Sequence, residues 1–186
     1  MRALNHFETL AFYGLGDEHA EFCVYLANRP PMPEFTDHDG VLPLRPGDIY
    51  RIGQETGNHW RKIFNVYAKL LFELAGKRTD GYATWQAYRD ECMLQAGSGV
   101  ALIYGAPENH PADIPEEGKG AFSPGITLIM GKQFADHSDF WKYDGLWINA
   151  DFAINSKGWI LCPYFDYRQL SNIKIATLVS IIKSHL

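Results

Sequence analysis

Short runs of consecutive apolar residues alternate along the chain with segments of helical periodicity. The apolar runs cover 22–27, 100–105, 126–131 and 159–164. Runs of this length without polar interruption are typical of strands buried on both faces of a sheet. Helical spacing of apolar residues marks 58–76, 82–96, 132–141 and 171–185. The alternation predicts an α/β fold, with a three-layer α/β/α arrangement around a small, mostly parallel central sheet.

The segment 58–76 carries the strongest helical pattern. Thr56 or Asn58 can cap its start, and Gly76 can end it. For the last helix, Ser171 or Asn172 is the predicted cap. That helix is expected to turn one apolar face inward, made of Ile173, Ala176, Leu178, Ile181 and Ile182.

Two long segments are predicted to be irregular. Segment 28–57 contains five prolines, which argue against a regular helix or a central strand, and segment 106–125 is rich in Pro, Gly and Glu. The stretch from Gly14 to His19 is interpreted as a plain turn before the first strand, because His19 stands where a dinucleotide-binding fingerprint needs a third small residue.

Composition limits the functional classes. A chain of 186 residues fits a single domain, 1–186, and its 46% hydrophobic and 21% charged residues are ordinary for a globular protein. The net charge of −5 weighs against nonspecific nucleic-acid binding, although 51–78 is locally basic. No run approaches the ~20 apolar residues of a membrane span, and 1–10 lack a signal-peptide pattern, so we expect a cytoplasmic protein without a membrane partner.

The carboxyl ends of the predicted strands are the expected place for a ligand, because open α/β sheets bind their ligands there. These ends are Asn28, Gly105, Gly131 and Pro163. At the turn after Gly131, the first amides of a helix, with Lys132 beside them, could hold a phosphate or a carboxylate. A purely structural turn is the alternative.

Other candidates for chemistry are incomplete. Asp37-His38-Asp39 and Asp136-His137 with Asp139 resemble acid/base or metal-ligating clusters, but neither has a recognised metal-binding spacing, and we predict no metal and no cofactor. Cys162 lies at a strand end, where a nucleophile approached by His59 or His137 would be suitably placed. The three separated cysteines fit buried structural thiols better.

Three segments in order resemble the uracil-DNA glycosylase superfamily, especially its mismatch-specific branch. They are YLANRPP at 25–31, GNHWRKIF at 57–64, and LIMGKQF at 128–134, followed by ILCPYFDYRQLSN at 160–172 in the place of the family's final strand and loop. The resemblance implies a parallel sheet between helices and a pocket for a nucleobase flipped out of the stack. Asn28 stands two residues before Pro30 instead of directly before it, and 163–172 contain no histidine, so standard glycosylase activity is not expected.

The function predicted from this resemblance is recognition of a nucleobase or nucleic acid. The expected ligands are single-stranded or mismatched DNA or a free nucleobase, with Tyr164 or Phe165 stacking on the base and Arg168 contacting phosphate. The candidate binding residues are Asn28, Asn58, Gly131, Lys132, Tyr164, Phe165, Asp166 and Arg168. Two alternatives remain open: a non-enzymatic protein-interaction domain, and a small-molecule hydrolase or transferase using the same crevice.

Overall fold

The computed structural model describes residues 13–76, 81–107 and 125–185. The strands are β1 (Tyr13–Gly16), β2 (Phe22–Leu26), β3 (Gly40–Leu42), β4 (Val100–Tyr104), β5 (Ile126–Met130), β6 (Leu146–Trp147), β7 (Ala153–Ile154) and β8 (Ile160–Cys162). The α-helices are α1 (Asp48–Glu55), α2 (Asn58–Leu74), α3 (Trp85–Glu91), α4 (Lys132–Asp136) and α5 (Asn172–Ser184). Short 3-10 helices cover Pro33–Phe35 and Asp139–Tyr143.

All the described strands belong to one sheet, in the order β3-β1-β4-β2-β5-β8-β7-β6. The four strands predicted from apolar runs are the four consecutive central ones, β4, β2, β5 and β8, and they pair in parallel. The α/β class is therefore confirmed. The smaller and mostly parallel sheet is not confirmed, because there are eight strands and the β1–β4, β6–β7 and β7–β8 pairs are antiparallel.

The two faces of the sheet carry separate groups of buried side chains. On one face, residues such as Val24 and Leu128 pack with the apolar sides of α1, α2, α3 and α5. On the other, alternate strand residues such as Tyr25 and Ile129 pack with Ala135 of α4 and with Phe140. Among the described residues, the second face is covered by elements of five residues each, so the expected three full layers are not confirmed.

Strand β1 occupies the first half of the stretch interpreted from sequence as a turn. That interpretation was wrong for Gly14–Gly16, whereas a turn does follow at Glu18 and His19. Positions 14 and 16 of β1 are glycines because the neighbouring strand β4 leaves no room for a side chain there. A Cβ on Gly14 would lie 2.7 Å from the backbone oxygen of Leu102, and one on Gly16 would overlap with that of Val100. The glycines that resembled a nucleotide-binding loop are therefore explained by strand packing.

Segment 28–57 is more regular than predicted. It contains the Pro33–Phe35 3-10 helix, β3 and α1, and its prolines precede α1 instead of interrupting it. The carboxylate of Asp48, in the first turn of α1, accepts a hydrogen bond from the backbone amide of Arg45 at 2.8 Å. Most of the other predicted irregular segment, 108–124, lies outside the described residues.

The predicted helices exist, with corrected ends. Helix α2 begins after Gly57 without a side-chain cap, so neither Thr56 nor Asn58 caps it, whereas Gly76 adopts the left-handed conformation (φ 65°) just past its end, as predicted. Ser171 holds the cap position of α5 without a side-chain cap bond. Of the apolar face predicted for α5, Ile173, at 82% exposed, and Ala176 are exposed instead of buried. No helix in the described ranges is long and apolar enough to cross a membrane.

Candidate functional site

The carboxyl ends of β2, β5 and β8 bring three of the predicted site residues together. Asn28 stands two residues after β2, Tyr164 two residues after β8, and Gly131 directly after β5. The amide of Gly131 donates to the carbonyl of Cys162 at 2.9 Å, and a Cβ on Gly131 would lie 3.5 Å from the Tyr164 ring. The parallel pairing of β2, β5 and β8 therefore gathers these residues at one edge of the sheet.

Asn28, His59 and Tyr164 form a hydrogen-bonded cluster, called the polar triad below. The Nδ2 of Asn28 donates to the Tyr164 hydroxyl at 3.0 Å, and that hydroxyl lies 2.9 Å from Nε2 of His59. Asn28 Nδ2 and His59 Nε2 are 3.3 Å apart. The imidazole also stacks on the phenol, with centroids 5.5 Å apart and planes inclined by 27°.

One assignment of protons satisfies the short contacts of the triad. Asn28 donates to the oxygen of Tyr164, and Tyr164 donates its own proton to Nε2 of His59 in the tautomer whose proton is on Nδ1. A proton on Nε2 would face the amide protons of Asn28. Within the described residues, the carboxamide oxygen of Asn28 accepts no hydrogen bond, so it can accept one from a ligand.

The phenol of Tyr164 is held in its neutral form. Its partial burial raises the pKa above the ordinary value of tyrosine, and the hydrogen bond from Asn28 opposes that shift without cancelling it. Desolvation disfavours a phenolate, so the hydroxyl acts as a hydrogen-bonding group and not as a nucleophile. The triad is suited to recognising polar atoms of a ligand.

A salt bridge holds the Tyr164 loop against α2. The Nζ of Lys62 lies 2.8 Å from Oδ2 of Asp166, and the other carboxylate oxygen accepts from the amide of Arg168 at 2.9 Å. The hydrogen bond from Lys62 is the main cause that lowers the pKa of Asp166, with the Arg168 amide second. His59 and Lys62 stand three residues apart on α2, so the helix contacts the loop at two adjacent points.

Phe165 corrects one expectation from the sequence. Its ring is fully buried, with its centroid 5.7 Å from that of Tyr67, in the core between the sheet and α2. It therefore has no face to offer a base, and the loop's remaining aromatic rings are Tyr164 and the exposed Tyr167. Phe165, the third residue after β8, turns inward, where an apolar ring gains most from burial.

Three other predicted residues lie outside the triad's hydrogen bonds. The Asn58 side chain accepts from Arg61, at 2.7 Å from Nη2. Lys132 lies over the Trp147 ring at 5.5 Å. The guanidinium of Arg168 lies 5.8 Å from the ring of its neighbour Tyr167.

The nucleophile and metal candidates find other roles. Cys162 is buried, its Sγ donates to the carbonyl of Ile129 at 3.6 Å, and burial raises its pKa, which leaves a protonated thiol. His137 bonds through Nδ1 to the carbonyl of Gln133, and Asp136 accepts from the indole of Trp141. Among the described residues, no three His, Cys, Asp or Glu side chains converge as a metal site would require.

His59 is the functional candidate that the site prediction left out. In the sequence, His59 lies next to Asn58 at the start of the strongest predicted helix. From the sequence, it is considered only as a partner for Cys162. Of these two neighbours on α2, the structure directs His59 to Tyr164 and leaves Asn58 with Arg61. His59 and Asn58 are adjacent on the helix, so a rotation by one residue about the helix axis decides which of them faces Tyr164. The spacing of apolar residues does not define that rotation closely enough at the end of a helix.

Comparison with known proteins gives one family match. A model described as "Family of unknown function (DUF6942)" matches residues 13–183, which include every member of the polar triad and all eight strands. No curated protein and no solved structure matches the chain.

Proposed function

We propose that this chain, which belongs to the family of unknown function DUF6942, binds a nucleobase or nucleotide at the polar triad. The observation that carries the proposal is the triad itself. An amide, an imidazole and a phenol from three separate segments meet at the carboxyl ends of parallel strands, held by hydrogen bonds of 2.9 and 3.0 Å.

The polar atoms of the triad suit the edge of a base. Because Asn28 uses Nδ2 towards Tyr164, it offers its carboxamide oxygen as an acceptor. Nucleobases present N–H donors on their pairing edges, and carboxamides are common partners for those edges. The stacked rings of His59 and Tyr164 provide an aromatic surface beside that acceptor, on which a planar ligand can extend the stack.

The proposal includes the likeness to the uracil-DNA glycosylase superfamily, without its activity. Supporting the likeness are parallel central strands whose carboxyl ends lie next to Asn28 and the loop after β8. Against hydrolysis stands the absence of histidine from the loop after β8, 163–172. The other two alternatives from the sequence, a protein-interaction domain and a hydrolase or transferase, stay predictions.

Titration of the full chain with free nucleobases, nucleosides and short uracil-containing oligonucleotides tests the proposal. Calorimetry and amide chemical shifts should report saturable binding, with the largest shifts at Asn28, His59 and Tyr164. Asn28→Ala should weaken binding about tenfold, the equivalent of one hydrogen bond of ~1.4 kcal/mol. Asn172→Ala, at the exposed start of α5, is the matched control and should bind as the original chain does.

Two results would contradict the proposal. One is the absence of shift changes at the triad for every base at millimolar concentration, and the other is equal affinity of Asn28→Ala and the original chain. The oligonucleotides are also assayed for abasic sites, and their appearance would show that the chain retains hydrolysis.

A further inference from the structure

Arg29, the residue directly after Asn28, is held by aromatic rings. Its Cζ lies 4.9 Å from the ring centroid of Tyr13 and 5.7 Å from that of Tyr104. Tyr13 and Tyr104 are cross-strand partners of β1 and β4, at the same edge of the sheet as the triad. Among the described residues, the guanidinium makes no hydrogen bond and no ion pair, so its five N–H donors have no protein acceptor there.

Two buried polar atoms around Arg29 also have unused hydrogen-bonding capacity. The hydroxyl of Tyr104, a residue 4% exposed, has no hydrogen-bond partner, and neither has Nδ1 of His38. His38 meets the edge of the Tyr13 ring, with centroids 6.4 Å apart, and uses its Nε2 on the carbonyl of Phe35. Buried polar groups in folded proteins are nearly always paired. The unpaired hydroxyl of Tyr104, whose ring contacts the Arg29 guanidinium, therefore points to a place for a ligand group, and the unpaired nitrogen of His38 lies on the far side of the Tyr13 ring contact.

The state of Tyr104 fits this interpretation. Burial raises its pKa well above that of an exposed tyrosine, although the charge of Arg29 acts in the opposite direction. The phenol is therefore neutral and keeps its proton. A neutral hydroxyl can donate to an anion that is also bound by the guanidinium.

Neighbouring cations are engaged differently. Lys62 is paired with Asp166 at 2.8 Å, and Arg61 donates to the side chain of Asn58 at 2.7 and 3.1 Å. Within the part of the chain that the structure describes, the Arg29 guanidinium contacts two aromatic rings and its N–H donors stay unused. A planar guanidinium placed over rings in this way suits the paired oxygens of a phosphate.

We propose that Arg29, positioned by Tyr13 and Tyr104, is an anion subsite next to the polar triad and takes the phosphate of a mononucleotide. The inference rests on the proposed function, because the triad would hold the base of the same ligand. A mononucleotide is favoured over a strand because one guanidinium matches one phosphate and because the chain's net charge of −5 opposes a polyanion.

Calorimetric titration with a nucleoside and with its 5′-monophosphate, for each of the common bases, tests the subsite. The original chain should bind the monophosphate about tenfold more tightly than the nucleoside, as expected for one charge-assisted bidentate contact. Arg29→Gln should remove that difference and leave the nucleoside affinity unchanged. Arg29→Lys should keep part of the preference for the monophosphate, because an ammonium carries the charge without the two parallel N–H donors of a guanidinium.

Arg45→Gln is the matched control, because Arg45 is an exposed arginine that follows β3 and belongs neither to the triad nor to the Tyr164 loop. It should preserve the preference for the monophosphate. Thermal melting of each variant confirms folding, and Arg29→Lys serves as the test if Arg29→Gln does not fold. Inorganic phosphate should compete with the monophosphate in the original chain and not in Arg29→Gln.

The subsite and the proposed function fail in different ways. Equal affinities for nucleoside and monophosphate, or an unchanged preference in Arg29→Gln, would overturn the subsite while the triad proposal stands. Binding of neither ligand would overturn both. An oligonucleotide that binds more tightly than the monophosphate, with no effect of Arg29→Gln, would indicate that the ligand is single-stranded nucleic acid. It would overturn the proposal of a mononucleotide.

Discussion

The imidazole of His59 and the phenol of Tyr164 lie stacked at 5.5 Å and share a hydrogen bond of 2.9 Å, although 105 positions separate them in the sequence. One is placed by the first turn of α2 and the other by the end of β8. The distance between these two side chains therefore depends directly on how α2 is positioned relative to the sheet. The affinity of any ligand at the triad should depend on the geometry of the triad and on the positions of the triad's protons.

Tyr164→Phe should weaken ligand binding and leave the fold intact. The change removes the hydroxyl that joins Asn28 to His59 and keeps the ring that stacks on the imidazole. We expect affinity for the ligand found by titration to fall about tenfold, the equivalent of ~1.4 kcal/mol. Tyr167→Phe loses a hydroxyl from a 53% exposed neighbour in the same loop and should bind normally. Equal affinity of the two variants would exclude a role for the Tyr164 hydroxyl.

The Lys62–Asp166 salt bridge should make stability depend on pH in a defined direction. Because the pKa of Asp166 is lowered on folding, its contribution is fully present above the unfolded pKa of about 4 and is lost as the pH falls through the folded value. Asp166→Asn should reduce the free energy of unfolding by about 1 kcal/mol at pH 7. The difference from the original chain should shrink below about pH 4.

Urea unfolding of both chains at pH 7 and at pH 3 measures this effect. A double-mutant cycle with Lys62→Met isolates the pair from other effects of each substitution. Asp90→Asn serves as a control, because Asp90 pairs with the adjacent Arg89 on α3, away from the crevice. A stability loss that is the same at both pH values would show that Asp166 does not act through its charge.

Phe165→Ala should destabilise the fold strongly. The ring is fully buried against Tyr67, and truncation of a buried phenylalanine typically costs about 3–5 kcal/mol, because apolar contact is lost and a cavity remains. Ile173→Ala, at an apolar residue that is 82% exposed, should change the free energy of unfolding by less than about 0.5 kcal/mol. Urea unfolding compares the two, and a loss at Phe165 as small as that at Ile173 would contradict the buried position.

The parts of the fold that sequence predicted are those whose signal is local. The runs at 22–27 and 126–131 are apolar on both faces because β2 and β5 are central strands. Their ends then placed Asn28 and Gly131 at one edge of the sheet. Strands β6 and β7 have two residues each. They depend on pairing with each other and, for β7, with β8 instead of on an apolar pattern of their own, so no local signal predicts them.

The location of the site, at the carboxyl ends of the central strands, could be predicted from the sequence. The side chains that form the site could be predicted only in part. Aromatic side chains at Tyr164 and Phe165 look equivalent in the sequence, yet the first joins the triad and the second enters the core. The rotation of the chain just past a strand end decides between them, and tertiary packing sets that rotation. The same holds for Arg29, whose role depends on rings from β1 and β4.

Gly131→Ala should destabilise the chain by about 1–2 kcal/mol, because residue 131 has φ 96°, in the region that L side chains rarely adopt. Space is not the reason, since the new Cβ would make an ordinary contact of 3.5 Å with Tyr164. Gly125→Ala, where the nearest atom would lie at 3.6 Å and φ is not in the left-handed region, is the matched control and should cost less. Urea unfolding measures both variants. If Gly125→Ala proved as costly as Gly131→Ala, the backbone conformation at the β5–α4 turn would not be the cause.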